Sequence, residues 1–144
     1  MTAQESIKAY VAQLCISIGT TEEKIYNAEN KAWYFVRGSA NIEVFLTSYT
    51  TKDNLIRTFI RCFCPLINIP ADSAKKLDLY TGALEANTQY MGVKLTTIAN
   101  KNIMYAVAER DIQGMDYQEF VTLISDVGYW ADELDDFLKQ NFPG

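Results

Sequence analysis

Ile7, Tyr10, Val11, Leu14, Cys15 and Ile18 recur at intervals of three and four, the spacing that gathers side chains on one face of a helix. They predict a helix over residues 3 to 18, and Gly19 is placed to close it with a left-handed cap. So apolar a stripe suits a helix packed on a sheet; a detachable partner helix is the other reading. Residues 20 to 31 are polar and unpatterned, a loop with room for a short edge strand around Ile25 and Tyr26.

The period then changes to two. Lys31 to Arg37 is aromatic and β-branched, Gly38-Ser39 makes a tight turn, and Asn41 to Thr47 alternates. Ile42, Val44 and Leu46 share one face of that strand, and Asn41, Glu43 and Phe45 the other. After a polar turn at Thr50 to Asn54 comes the clearest strand. Ile56, Thr58, Ile60, Cys62 and Cys64 form one face, and Arg57, Phe59, Arg61 and Phe63 the other. Pro65, with no N–H to donate, is expected to end the regular pairing. The connections are too short for parallel crossovers, so the three strands form an antiparallel meander.

Pro70 stands at a favoured first-turn position and opens a second helix to about Ala86, with Leu77, Tyr80, Thr81 and Leu84 on one side. Gly82 within it costs roughly 1 kcal/mol relative to alanine, which implies close packing or a break there. Strands follow at Tyr90 to Ile98 and Asn102 to Glu109, joined by a turn at Asn100-Lys101-Asn102. A last helix is capped by Asp116 with Glu119 three residues on. Its apolar stripe is Tyr117, Phe120, Val121, Ile124, Val127, Ala131, Leu134 and Leu138, with Gly128 permitting a close backbone approach. Asp126, Asp132, Glu133, Asp135 and Asp136 make a solvated opposite side. The expected architecture is α+β, in the order α-β-β-β-α-β-β-α: helices on one face of a five-stranded antiparallel sheet, in a single domain over residues 1–144.

Composition narrows the function. The 144 residues carry a net charge of −5 and show no cluster of Lys and Arg, which argues against nucleic acid and anionic membranes as partners. No stretch approaches the roughly 20 apolar residues that span a bilayer. The opening MTAQESIKAY lacks a basic segment followed by an apolar one, so a cytoplasmic location is expected. Cys15, Cys62 and Cys64 are an odd number in a chain with no histidine. That composition supplies neither a disulfide framework nor a four-ligand metal site, and it removes Ser-His-Asp and Cys-His catalysis. Phosphate-cradling glycine loops are also missing. No enzymatic activity, catalytic residue, metal or cofactor is expected.

The informative constellation is the second face of the central strands. If Ile42, Val44, Ile56 and Ile60 meet the helices, Phe45, Phe59 and Phe63 point away, with Arg57, Arg61 and Glu43 among them. Trp33 and Phe35 are candidates for the same surface. Aromatic residues and arginine are enriched where protein interfaces bury their centres. The bland alternative is a sheet covered on both faces by its own chain. A different function, small-molecule sensing, would use a pocket between sheet and helices lined by Tyr80, Met104 and Tyr105.

Three stretches, Ala32–Leu46 (AWYFVRGSANIEVFL), Asn54–Thr97 and Asn102–Leu138, carry a resemblance to the YbjN family, bacterial proteins with the fold of type III secretion chaperones. The shared features are a strand ending near a proline, a helix, the run Asn87 to Val93, a strand pair and a long last helix with small residues between Phe120 and Ala131. The resemblance implies a homodimeric, chaperone-like domain that holds protein segments in apolar grooves, partly by adding strands to the sheet. It implies no catalytic residues.

Overall fold

A computed structural model describes residues 1–143. Helix α1 (Ala3–Ile18) begins in a reciprocal capping box between Thr2 and Glu5 and ends at Gly19 with φ 78°. A one-turn helix α2 (Glu22–Ile25) leads into β1 (Tyr26–Asn27), then β2 (Ala32–Arg37), β3 (Ala40–Thr50) and β4 (Ile56–Asn68). Helix α3 (Ser73–Ala86), β5 (Lys94–Thr97), β6 (Ile103–Asp111) and α4 (Tyr117–Asn141) complete the chain. The six strands form one sheet in the order β1-β2-β3-β4-β6-β5. Every neighbouring pair is antiparallel.

The α+β architecture and the meander agree with the sequence pattern, with one strand and one short helix, α2, more than expected. Tyr26 and Asn27 pair with Trp33 and Ala32, so the polar segment supplies a short edge strand. The expected strand from Tyr90 shrinks to Lys94–Thr97, because Tyr90 to Gly92 turn and Gly92 takes φ 82°. β3 and β6 run past their expected ends, to Thr50 and Asp111, since each finds a partner on β4 there.

Pro65 does not end β4. The β3–β4 register stops at Glu43 opposite Phe63, whereas the β4–β6 ladder continues through Pro65 opposite Tyr105 to Asn68 opposite Ile103. The missing donor thus coincides with the end of pairing on the β3 side, and a register shift between Pro65 and Ile67 absorbs one residue.

The core lies between one sheet face and α1, α3 and α4. From the sheet it takes Trp33, Phe35, Ile42, Val44, Ile60, Cys62, Cys64, Ala106 and Ala108; from α4 it takes Phe120, Ile124, Val127, Leu134 and Leu138. Helix α4 opens with the expected capping box, Asp116 accepting from the Glu119 backbone at 2.7 Å and Glu119 from the Asp116 backbone at 3.0 Å. Gly128 is where α4 crosses β2 and β3. A Cβ built there would stand 2.7 Å from Cδ of Arg37 and 3.3 Å from Cδ1 of Ile42. Gly82 serves the other expected purpose: the ring of Phe142, just beyond α4, occupies the space its side chain would need.

Helix α3 starts at Ser73 with Asp72 as its cap, three residues after Pro70, and it turns the other way from expectation. It buries Leu79, Ala83 and Ala86, leaving Leu77, Tyr80 and Leu84 at 66%, 36% and 69% exposure. Both stripes satisfy helical spacing. The small side chains of Ala83 and Ala86 let this helix approach the sheet closely, and the bulkier stripe is left outside.

Candidate functional site

No helix among the described residues covers the second sheet face. Its residues follow from the register: Tyr34 of β2; Glu43, Phe45, Thr47 and Tyr49 of β3; Arg57, Phe59, Arg61 and Phe63 of β4; and Tyr105, Val107, Glu109 and Asp111 of β6. The placement of Phe45, Phe59, Phe63, Arg57 and Arg61 away from the helices follows the alternation read in the sequence. Trp33 and Phe35 must be corrected. They pair with Val44 and Ile42, share their face, and are only 4% exposed each within the core. The residue between them, Tyr34, points to the uncovered face instead.

The side chains on this face interlock in rows across the strands. Nε and Nη2 of Arg57 both donate to Oδ2 of Asp111, at 2.9 and 2.8 Å, and Nη1 donates to the Tyr49 hydroxyl at 3.2 Å. The same guanidinium stands 6.0 Å from the Tyr49 ring centre and 5.3 Å from that of Phe59. One row on, Nε of Arg61 donates to Oε2 of Glu109 at 2.6 Å, and its guanidinium lies 5.7 Å from Phe45 and 4.9 Å from Phe63. The Gln113 backbone N–H, and after it the Arg57 guanidinium, hold the Asp111 carboxyl below its usual range. Asp111 in turn raises Arg57. Exposed pairs of this kind add little to stability, so their main effect is to orient the rings and fix the pattern of charge.

Beyond Arg61 the face turns aromatic. Phe45 and Phe63 stack with centres 5.6 Å apart, and Tyr105 meets Phe63 edge-on at 5.9 Å. Phe63 and Tyr105 are 6% and 9% exposed, hidden by their neighbours on the face, because the helical core lies on the opposite side. The Tyr34 hydroxyl donates to Oε2 of Glu43 at 2.7 Å and accepts from Asn30 at 2.8 Å; burial first, then the Glu43 bond, raises its pKa. Tyr34, Glu43, Phe63, Tyr105 and, from the β5–β6 connection, Ile98 and Lys101 surround a cavity of about 230 Å³.

Tyr34, Tyr49 and Tyr105 were not singled out for this face from the sequence. Alternation does carry the signal: Tyr49 is four residues beyond Phe45 on one strand, and Tyr34 follows once β2 is registered on β3. Tyr80, Met104 and Tyr105 do not line one pocket. Tyr80 and Met104 flank a shallow groove between α3 and β5, while Tyr105, adjacent to Met104 in an extended strand, faces the other side of the sheet.

Cys62 and Cys64 lie on the core face, and all three cysteines are unpaired and buried. Among the described residues no group of three or more His, Cys, Asp or Glu is arranged to hold a metal ion. The acidic side of α4 is partly engaged: Asp132 accepts from Ser39 at 3.1 Å, and Asp135 pairs with Lys139 at 2.7 Å. No helix among the described residues is long and apolar enough to cross a membrane. The chain matches no protein-family model, and no curated protein matches it.

Proposed function

We propose that this protein is a non-enzymatic, chaperone-like or regulatory module that holds a segment of another protein against its uncovered sheet face, and that it works as a homodimer. The observation that carries this reading is the face itself, with aromatic rings and arginines set in ordered rows and no helix among the described residues upon them. Such side chains are the ones that dominate binding energy when an interface buries them. The resemblance to the YbjN family and to secretion chaperones supports the same reading. So does the outer edge of β2, where β1 pairs only with Ala32 and Trp33 and the stretch to Arg37 is free to accept an added strand. Three unpaired cysteines fit a reducing, cytoplasmic setting.

The test is selection from a random peptide library. Peptides should be recovered that bind the wild type, and Phe59→Asp should weaken them by at least about 30-fold, the effect of losing a central aromatic contact. Phe59 lies outside the core, so the variant should stay folded, with the circular dichroism of the wild type. Selected peptides that bind Phe59→Asp equally well, or a library that yields none, would place binding elsewhere.

The second copy is assigned to the other end of the sheet. There β5 is the last strand, the N–H and C=O of its Leu95 held by the Asn87 side chain, and beside it α3 presents Leu77, Tyr80 and Leu84 as a continuous apolar stripe. Leu84→Asp should convert the dimer to a monomer in size-exclusion chromatography with light scattering, without loss of helical signal. A wild type that is monomeric at tens of micromolar would sink the assignment.

A second reading, a regulatory domain for a small molecule, draws on the cavity beside Tyr34. It is supported if native mass spectrometry finds a metabolite on the purified protein that leaves on denaturation.

A further inference from the structure

We propose that the cavity beside Tyr34 is a receptor for an arginine side chain of the bound protein segment. The inference deepens the proposed function and rests on it. Its basis is a repeat along β4. Positions 57, 61 and 65 lie four residues apart on the same face of one strand. The first two are built alike, with a guanidinium set beside two aromatic rings, one from β3 and one from β4, and a β6 carboxylate completing the station: Arg57 with Tyr49, Phe59 and Asp111, and Arg61 with Phe45, Phe63 and Glu109.

The third station has the rings and a carboxylate, here supplied by β3, but no guanidinium. Pro65 occupies the position on β4, and Phe63, Tyr105 and Tyr34 surround the space, with Glu43 at its side. Glu43 accepts from the Tyr34 hydroxyl and forms no ion pair among the described residues, whereas Asp111 and Glu109 each hold an arginine. Lys101 also lines the cavity and forms no ion pair among the described residues.

An apolar side chain entering here would take water from the Glu43 carboxylate and give nothing back. A planar guanidinium stacks on the rings and donates to the carboxylate together, as the two neighbouring stations already show. The chain has no arginine to spare. Its four are Arg37, donating to the Ser125 carbonyl at 2.8 Å, Arg57 on Asp111, Arg61 on Glu109, and Arg110 on Glu119 at 3.2 Å. In a second copy the same four are engaged in the same way, which points to a different protein as the source of the occupant.

The test is a titration followed by NMR with three peptides, acetyl-Val-X-Val-amide, in which X is arginine, citrulline or norleucine. The arginine peptide should shift the resonances of Tyr34, Glu43, Phe63 and Tyr105, and citrulline, the neutral isostere, should bind at least ten-fold more weakly. Glu43→Gln keeps the shape and an acceptor for Tyr34, and it should erase the difference between arginine and citrulline. Lys101→Ala removes a like charge and should tighten the arginine peptide. Equal binding of arginine and citrulline, or a preference that survives Glu43→Gln, overturns the receptor. If norleucine shifts the same face as strongly, the receptor falls while the proposed binding surface stands. If no peptide moves any resonance of the face, both fall.

Discussion

Phe120→Ala should lower the unfolding free energy by about 3–5 kcal/mol, a large share of the roughly 5–15 kcal/mol available to a domain of this size. Phe120 is fully buried in the first turns of α4. Its ring packs 5.9 Å from Tyr10 of α1 and 6.4 Å from Tyr117, and the Tyr10 hydroxyl donates to the Met115 carbonyl at 3.1 Å beside it. One side chain therefore joins the first helix to the last. Truncation removes its own burial and also leaves a void that the capped start of α4 cannot collapse to fill. Chemical denaturation of variant and wild type checks the value. A loss below 1 kcal/mol would mean that α1 does not pack on α4 in solution.

The second large effect is alkaline. Burial pushes the Cys62 thiol up to about 12 and is the main cause raising Cys64 to about 11, from an ordinary value of 9.0. In the unfolded chain both ionise near that ordinary value. The folded state thus keeps protons that the unfolded state gives up. The resulting stability is complete below pH 9 and is lost as pH rises toward the folded values. By pH 10 each thiol should cost about 1–2 kcal/mol of unfolding free energy. Wild type should therefore lose about 3 kcal/mol more than the Cys62→Ala/Cys64→Ala double variant between pH 7 and pH 10. An equal loss in the two proteins would show that the thiols ionise freely in the native state. Alkylation at pH 8 gives a parallel readout, since the Cys62 thiolate is far scarcer in the folded than in the unfolded chain.

The features legible in the sequence were those with a single physical solution. The stripe of α4 has one apolar side, and the Asp116–Glu119 box marks its start without ambiguity. On β4, branched or thiol residues alternate with arginine and phenylalanine, so the two faces separate as soon as the strand is recognised. Elsewhere the pattern admits two answers. In Trp33-Tyr34-Phe35 every residue is aromatic, alternation has no contrast, and only pairing with Ile42 and Val44 decides which way each ring points. On α3, 77-80-84 and 79-83-86 are both helical stripes, and the choice depends on how closely the sheet can be approached. Pro65 illustrates a third limit. Its effect depends on which neighbour would have received its N–H, a fact of topology that no local spacing contains. The candidate surface was accordingly half visible. The β4 residues and Phe45 were readable, whereas Tyr34 and Tyr105, which turn one end of it into a cavity, needed the register of three further strands.

The order of strands also bears on how the chain assembles as it is made. Strands β2, β3 and β4 are joined by short turns and can zip together in sequence. The other edge of β4 pairs with β6, whose residues lie between 35 (Asn68 with Ile103) and 52 (Phe59 with Asp111) positions further on. At about 5–20 residues per second of synthesis, β4 spends roughly 2–10 s as an outermost strand with its hydrogen-bonding groups unpaired. It is the longest strand of the sheet and carries Ile60, Cys62, Phe63 and Cys64, the composition most prone to pair with another chain. Arg57 and Arg61 interrupt that apolar run at four-residue spacing. Before they hold Asp111 and Glu109 in the finished sheet, they act as charged gatekeepers on a nascent edge that has nothing yet to pair with.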